Sequence, residues 1–269
     1  MLAIGLTTLF GCGSKLIRLG DQTADVNAGS SGGAATGGGG AVVGGTTAAA
    51  GEGMVDSGGD DGAAGSGDAC PHRQARASEV LWIGDSWITI PSGAQRARVR
   101  DLAVAAQAID EGEDYFNLAA AASSMAAVAK QYDTRESGST KVKVLLMDGG
   151  TWDPIAAQMA GASVPAAIDG AISTFQQFLA KVASDGTVEH IVYFLVPELA
   201  TIPGVAMMRP RLQQACAESS VPCHFIDLQP YWVGHPEYTA PDGIQASEAG
   251  ALVIANLIWA TMQEYCIAQ

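Results

Sequence analysis

The triplet Gly84-Asp85-Ser86 follows directly on the apolar run Val80-Leu81-Trp82-Ile83. Four apolar residues closed by a glycine predict a buried strand. A serine delivered at the C-terminal end of such a strand stands where open α/β sheets bind ligands. There it is a candidate nucleophile. The same three residue types also favour turns, so the triplet by itself has a second, purely structural reading.

The elements that would position Ser86 follow from periodicity and punctuation. After Ser86, residues 94–108 carry Val99, Leu102, Ala103 and Ala106 at helical spacing, with Arg96, Arg98 and Arg100 on a solvated face. Residues 114–118 predict a second short strand, and small residues from 119 to 125 open the next helix. Residues 142–147 predict a third strand that ends in Asp148-Gly149-Gly150, with Thr151-Trp152-Asp153-Pro154 as a loop. The clearest helix follows. Ser163 caps it, Pro165 lies in its first turn, Ile168, Ile172, Phe175, Leu179 and Val182 repeat along it, and Asp185-Gly186 stops it. Residues 188–196 and 221–227 predict strands four and five. Between them 205–219 is helical, kinked or split by Pro210, and Ser247 caps a final helix. Short apolar strands alternating with helices imply a parallel sheet covered on both faces.

Composition divides the chain. Residues 13–69 hold 18 of its 33 glycines and few large apolar side chains, so they cannot offset their ordering entropy and predict a flexible tether. Its root-mean-square span would be about 40 Å. Residues 70–269 suit one domain. The net charge is −14, from 28 acidic and 14 basic side chains. With no basic tract, nucleic acid is not an expected partner. Residues 1–12 are apolar and resemble the end of a bacterial lipoprotein signal peptide, with Leu9-Phe10-Gly11-Cys12 as its lipobox, although no Lys or Arg precedes the apolar run. On that reading Cys12 carries a lipid and the protein is exported, to the outer membrane, the periplasm or the cell surface, touching a membrane only through the anchor.

Four further cysteines remain. An even number in an exported domain points to disulfides. Of the three pairings, Cys216–Cys223 would close a short loop and Cys70–Cys266 would join the two ends of the domain. Metal binding through Cys70-Pro71-His72 and Cys223-His224 is the alternative, but neither pair has a zinc-site spacing.

Taken together and in order, Gly84-Asp85-Ser86, the stretch from Asn117 to Ser124, Met147 to Asp153, and Asp242-Gly243-Ile244-Gln245 ahead of the last helix resemble the SGNH/GDSL hydrolase family. The resemblance spans nearly all of 78–266. It implies a flavodoxin-like three-layer α/β/α sandwich with a five-stranded parallel sheet of order 2-1-3-4-5. It further implies ester hydrolysis by Ser86, with Asp242 as a triad member. The backbone N–H of Ser86, with that of Gly150 or of the 119–122 turn, Ala121 included, would form an oxyanion hole bordered by Trp152 and Asp153. The Gly-x-Ser-x-Gly elbow of the α/β-hydrolase fold is absent.

The chain departs from the family pattern at two chemically important places. Gln245 stands where the family has its catalytic histidine, and Trp152 where it has a block-three asparagine. A glutamine amide takes up no proton near neutral pH, so it is no general base. Of the 4 histidines, His235 lies in the loop leading to Asp242, at the ligand-binding edge, and is the candidate replacement. Two readings stand. One is a monomeric, cofactor-free serine esterase with Ser86, Asp242 and His235 at work and Gln245 beside the substrate. The other is a weak or inactive relative that binds a carbohydrate or acyl ligand in a pocket with Trp87 and Trp152 at its rim.

Overall fold

A computed structural model describes Cys70 and residues 74–89, 93–136 and 140–268. The signal-like segment 1–12 with Cys12, the tether 13–69, His72 and Pro91-Ser92 lie outside the described residues.

Two fully buried strands form the centre of the sheet: β1 (Val80–Ile83) and β3 (Val144–Met147). Both are unbroken apolar runs, because a strand covered on both faces has no solvent side for polar residues. Beside them lie β2 (Phe116–Asn117), β4 (His190–Leu195) and β5 (Cys223–Asp227). All pairings are parallel, in the order β2-β1-β3-β4-β5. This is the expected five-stranded sheet. β2 is shorter than the run 114–118 suggests. It is an edge strand, and it pairs only through Leu81 with Phe116 and Trp82 with Asn117.

Eight α-helices are seen among the described residues: α1 (Ser86–Thr89), α2 (Ala94–Ala105), α3 (Met125–Glu136), α4 (Trp152–Met159), α5 (Val164–Asp185), α6 (Val205–Ala217), α7 (Gln229–Trp232) and α8 (Glu248–Glu264). Helices α2 and α8 pack on each other, while α5 packs between α3 and α6, giving the layers that cover the sheet. Among the described residues, no helix is long and apolar enough to cross a membrane.

The caps follow the sequence closely. Ser163 Oγ accepts the N–H of Ala166 at 3.3 Å, and Gly186 ends α5 in the left-handed region at φ 68°. Ser247 Oγ accepts the N–H of Gly250 at 3.1 Å to open α8. A Cβ at Gly250 would stand 2.2 Å from the Tyr238 carbonyl oxygen, so only glycine lets α8 start this close to the preceding loop.

The segment from Trp152 is helix and not the expected loop. Pro154 is the third residue of α4, where its missing N–H would have no partner inside the helix in any case. Pro210 likewise does not split α6, which runs unbroken from Val205 to Ala217. Both expected disulfides are present, Cys70–Cys266 and Cys216–Cys223, so these four thiols are not free to hold a metal.

Candidate active site

The register sets the site. Ile83 pairs with Met147, so β1 and β3 end level, while β4 runs past Tyr193, the partner of Met147, to Leu195. The two peptides that leave β1 and β3, Gly84-Asp85-Ser86 and Asp148-Gly149-Gly150, therefore emerge side by side at the C-terminal edge. They touch: the N–H of Asp85 donates to Asp148 Oδ1 at 2.6 Å. Gly84 is required here, since a Cβ would lie 1.8 Å from Asp148 Oδ1.

Gln131 of α3 holds the first peptide in place. Its Oε1 accepts the Gly84 N–H at 2.7 Å and its Nε2 donates to the Gly84 carbonyl at 3.0 Å. The same Nε2 donates to Ser123 Oγ at 3.2 Å. Sequence reasoning did not single out this residue. It is an ordinary polar position within a helix, and its partner lies 47 residues away.

Ser86 opens α1 and is half-buried. Its Oγ accepts the Nε2–H of Gln245 at 3.0 Å. The carboxylate of the preceding residue, Asp85, accepts the N–H groups of Ser86 and Ser123. Asp85 is only 2 % exposed and Asp148 only 1 %. Burial pushes the Asp85 carboxyl above its usual range, and the backbone donors counter only part of that. Burial, with the Asp85 charge beside it, raises Asp148 well above that range, and Asp148 Oδ2 has no hydrogen-bond partner.

Asp242 is exposed and turns its carboxylate on its own loop. Its Oδ1 accepts the N–H of Ile244 at 2.8 Å and of Gln245 at 3.0 Å. It thereby shapes the turn that delivers Gln245 to Ser86. The Oε1 of Gln245 is buried without a partner. His235 is exposed and engages its own neighbours: Nδ1 lies 2.8 Å from Glu237 Oε1, and the ring stacks on Tyr238 at 4.6 Å.

The expected oxyanion donors differ in availability. The Ser86 N–H is taken by Asp85. In the turn after β2, Ala119 donates to Asn117 Oδ1 and Ala120 to the Gly84 carbonyl. With Ser123 bound to Asp85, the N–H of Ala121, an exposed residue, is among those left. Gly150 has φ 90°, and a Cβ there would meet Met125 and Met208 at about 3 Å. Asp153 faces α3, with Oδ2 accepting the Met125 N–H at 2.9 Å, and burial raises its carboxyl. Trp152 is half-buried at the start of α4.

Trp87 is not at a rim. It is 1 % exposed and packs on Trp232, with ring centroids 5.7 Å apart. As the second residue of α1 it points back into the core while Ser86 faces outward. Among the described residues, no group of three or more His, Cys, Asp and Glu side chains could hold a metal ion.

The chain matches no family model, and no curated protein is similar to it in sequence. Its fold, however, is shared with solved structures of esterases. An α/β hydrolase enzyme, LAE5, from the metagenome of Lake Arreo, Spain, is 17 % identical with a TM-score of 0.55, covering 74 % of this chain and 100 % of its own. A carbohydrate esterase family 3 protein from Talaromyces cellulolyticus is 13 % identical with a TM-score of 0.57, over 70 % of this chain and 97 % of its own. An acetyl xylan esterase, AlAXEase, is 12 % identical with a TM-score of 0.56, over 68 % and 98 %. The three-layer α/β/α architecture with strand order 2-1-3-4-5 is the one this chain shares with these solved structures.

Proposed function

We propose that the protein is an SGNH/GDSL-type serine hydrolase of short-acyl carboxylic esters, with Ser86 as the nucleophile. The observation that carries this reading is the setting of the Ser86 hydroxyl. It stands at the C-terminal edge of β1, its oxygen held by the Gln245 amide. Attack on an ester carbonyl would place the developing oxyanion near the N–H groups of Ala121 and Gly150, which are among the donors left over in the two adjoining turns. Among the neighbours in fold are an acetyl xylan esterase and a carbohydrate esterase, so an acetylated glycan is the first substrate class to try. Two disulfides suit an oxidising compartment, which fits an exported protein, held at a membrane by lipid on Cys12 and working as a monomer.

A second reading rests on Gln245. Its amide occupies the base's side of Ser86 and takes up no proton, which favours a relative that binds an acyl or carbohydrate ligand without turnover. One experiment separates the two: hydrolysis of p-nitrophenyl acetate and of acetylated xylan by the full-length chain and by Ser86→Ala. Turnover by the wild type alone supports the hydrolase. Rates equal to the buffer blank for both proteins, with acetylated xylan still changing the tryptophan fluorescence, would select the binding protein.

A further inference from the structure

Gly84 lies two residues beyond the last pair of β1 and β2, Trp82 with Asn117. β2 stops at Asn117, so a side chain meets Gly84 where the ladder would otherwise continue. The carboxamide of Gln131, on α3, takes the strand's place. Its Oε1 accepts the Gly84 N–H at 2.7 Å, and its Nε2 donates to the Gly84 carbonyl at 3.0 Å. Nε2 also donates to Ser123 Oγ at 3.2 Å. The Ser123 hydroxyl donates in turn to the Ala120 carbonyl at 2.7 Å. One side chain thus grips both the peptide that leads into Ser86 and the turn after β2 that carries the Ala121 N–H. Resting on the hydrolase reading above, we propose that Gln131 is a positioning residue: it fixes the spacing between the Ser86 oxygen and the oxyanion donor of that turn.

The chemistry of the group suits the role. A carboxamide offers an acceptor and two donors in one plane, and Gln131 uses all three. Two direct bonds also join the segments, from the Ala120 N–H to the Gly84 carbonyl at 3.1 Å and from the Ser123 N–H to Asp85 Oδ1 at 3.4 Å. Both are longer than the clamp's bond to the Gly84 N–H. The turn is moreover held away from its relaxed form, since Ala122 sits in the left-handed region at φ 58°, which an alanine adopts only under constraint.

Spacing matters because the donor acts only as charge develops. When Ser86 Oγ bonds to the ester carbon, the carbonyl electron pair moves to the oxygen, and a donor about 3 Å away stabilises it. A turn that drifts by about 1 Å would lose roughly 10²-fold in rate. Ground-state binding of the ester does not use that charge, so the loss belongs to kcat and not to KM.

The test is hydrolysis of p-nitrophenyl acetate by the full-length chain. Wild type, Ser86→Ala, Gln131→Glu, Ser123→Ala and the double variant Gln131→Glu with Ser123→Ala are compared. Exhaustive labelling with a fluorophosphonate, read by intact mass, counts the molecules with a reactive Ser86, and kcat is expressed per labelled site. A purely structural loss leaves that kcat unchanged. Gln131→Glu keeps the acceptor for the Gly84 N–H and removes both donors. Its kcat should fall ~10²-fold with KM within about twofold of wild type. Ser123→Ala cuts only the link to the turn and should lower kcat about tenfold, again at constant KM. The double variant should be no slower than Gln131→Glu, since both losses lie on one link. Wild-type kcat in Gln131→Glu, or a raised KM with kcat intact, overturns Gln131 as a positioning residue and leaves Ser86 as nucleophile. Losses that multiply in the double variant also overturn it, because the turn is then not held through Gln131. No turnover by wild type, or turnover that Ser86→Ala retains, overturns the hydrolase reading and Gln131 with it. Should Gln131→Glu fail to fold, Ser123→Ala decides, and an unchanged kcat there overturns the proposal.

Discussion

The side-chain amide of Gln245 donates to the hydroxyl oxygen of Ser86 at 3.0 Å, across 159 residues of chain. That geometry is what a base would need, yet the group in it is a hydrogen-bond donor with no proton affinity. The site is thus built to hold Ser86 in one orientation.

His235 is the residue whose removal should matter least. Its imidazole is paired with Glu237 and stacked on Tyr238, both from its own loop, and it is exposed. His235→Ala should change fluorophosphonate labelling of Ser86 by less than about twofold, a small effect beside the ~10²-fold expected for a lost base. A loss approaching that size would return His235 to the mechanism.

Asp148 should make stability depend on pH. Its folded value is raised well above the ordinary one by burial and by Asp85. A raised carboxyl contributes stability that is fully present below the unfolded value, near 3.8, and is lost as pH rises through the folded value. Asp148→Asn keeps an oxygen for the Asp85 N–H and cannot ionise. Its Tm relative to wild type should therefore climb from pH 4 to pH 8. Thermal melts at both ends check this, and a difference that stays constant with pH would refute it.

The two disulfides should contribute unequally. Cys70–Cys266 spans 196 residues of sequence and Cys216–Cys223 only 7. Loop-closure entropy alone puts the first at about 5 kcal/mol and the second at about 2–3 kcal/mol. Replacing both cysteines of the long bridge with serine should lower Tm by roughly 10–20 °C, about twice the effect at the short bridge. Calorimetry of the two double variants under non-reducing conditions would check the order, and the reverse order would mean that the free ends of the domain hold each other without the bridge.

The strands β1 and β3 were legible as sequence because complete burial writes an unbroken apolar run, and the caps of α5 and α8 because Ser163, Gly186 and Ser247 satisfy local backbone groups. Local chemistry misled at Trp152, where Pro154 reads as loop although the first turn of a helix accepts it. It misled again at Trp87, whose burial depends on Trp232 far along the chain.

The sequence by itself determined the order of strands and helices and the place of Ser86 after β1, since periodicity and caps are properties of neighbouring residues, and the domain's four cysteines narrowed the disulfides to three pairings. Only the tertiary structure decided which groups meet Ser86. The Gln131 clamp, the Asp85–Asp148 contact and the Gln245 amide join residues 47, 63 and 159 positions apart. Those contacts exist because parallel strands in register bring their C-terminal ends to one edge, and no local pattern encodes which side chains then face each other there.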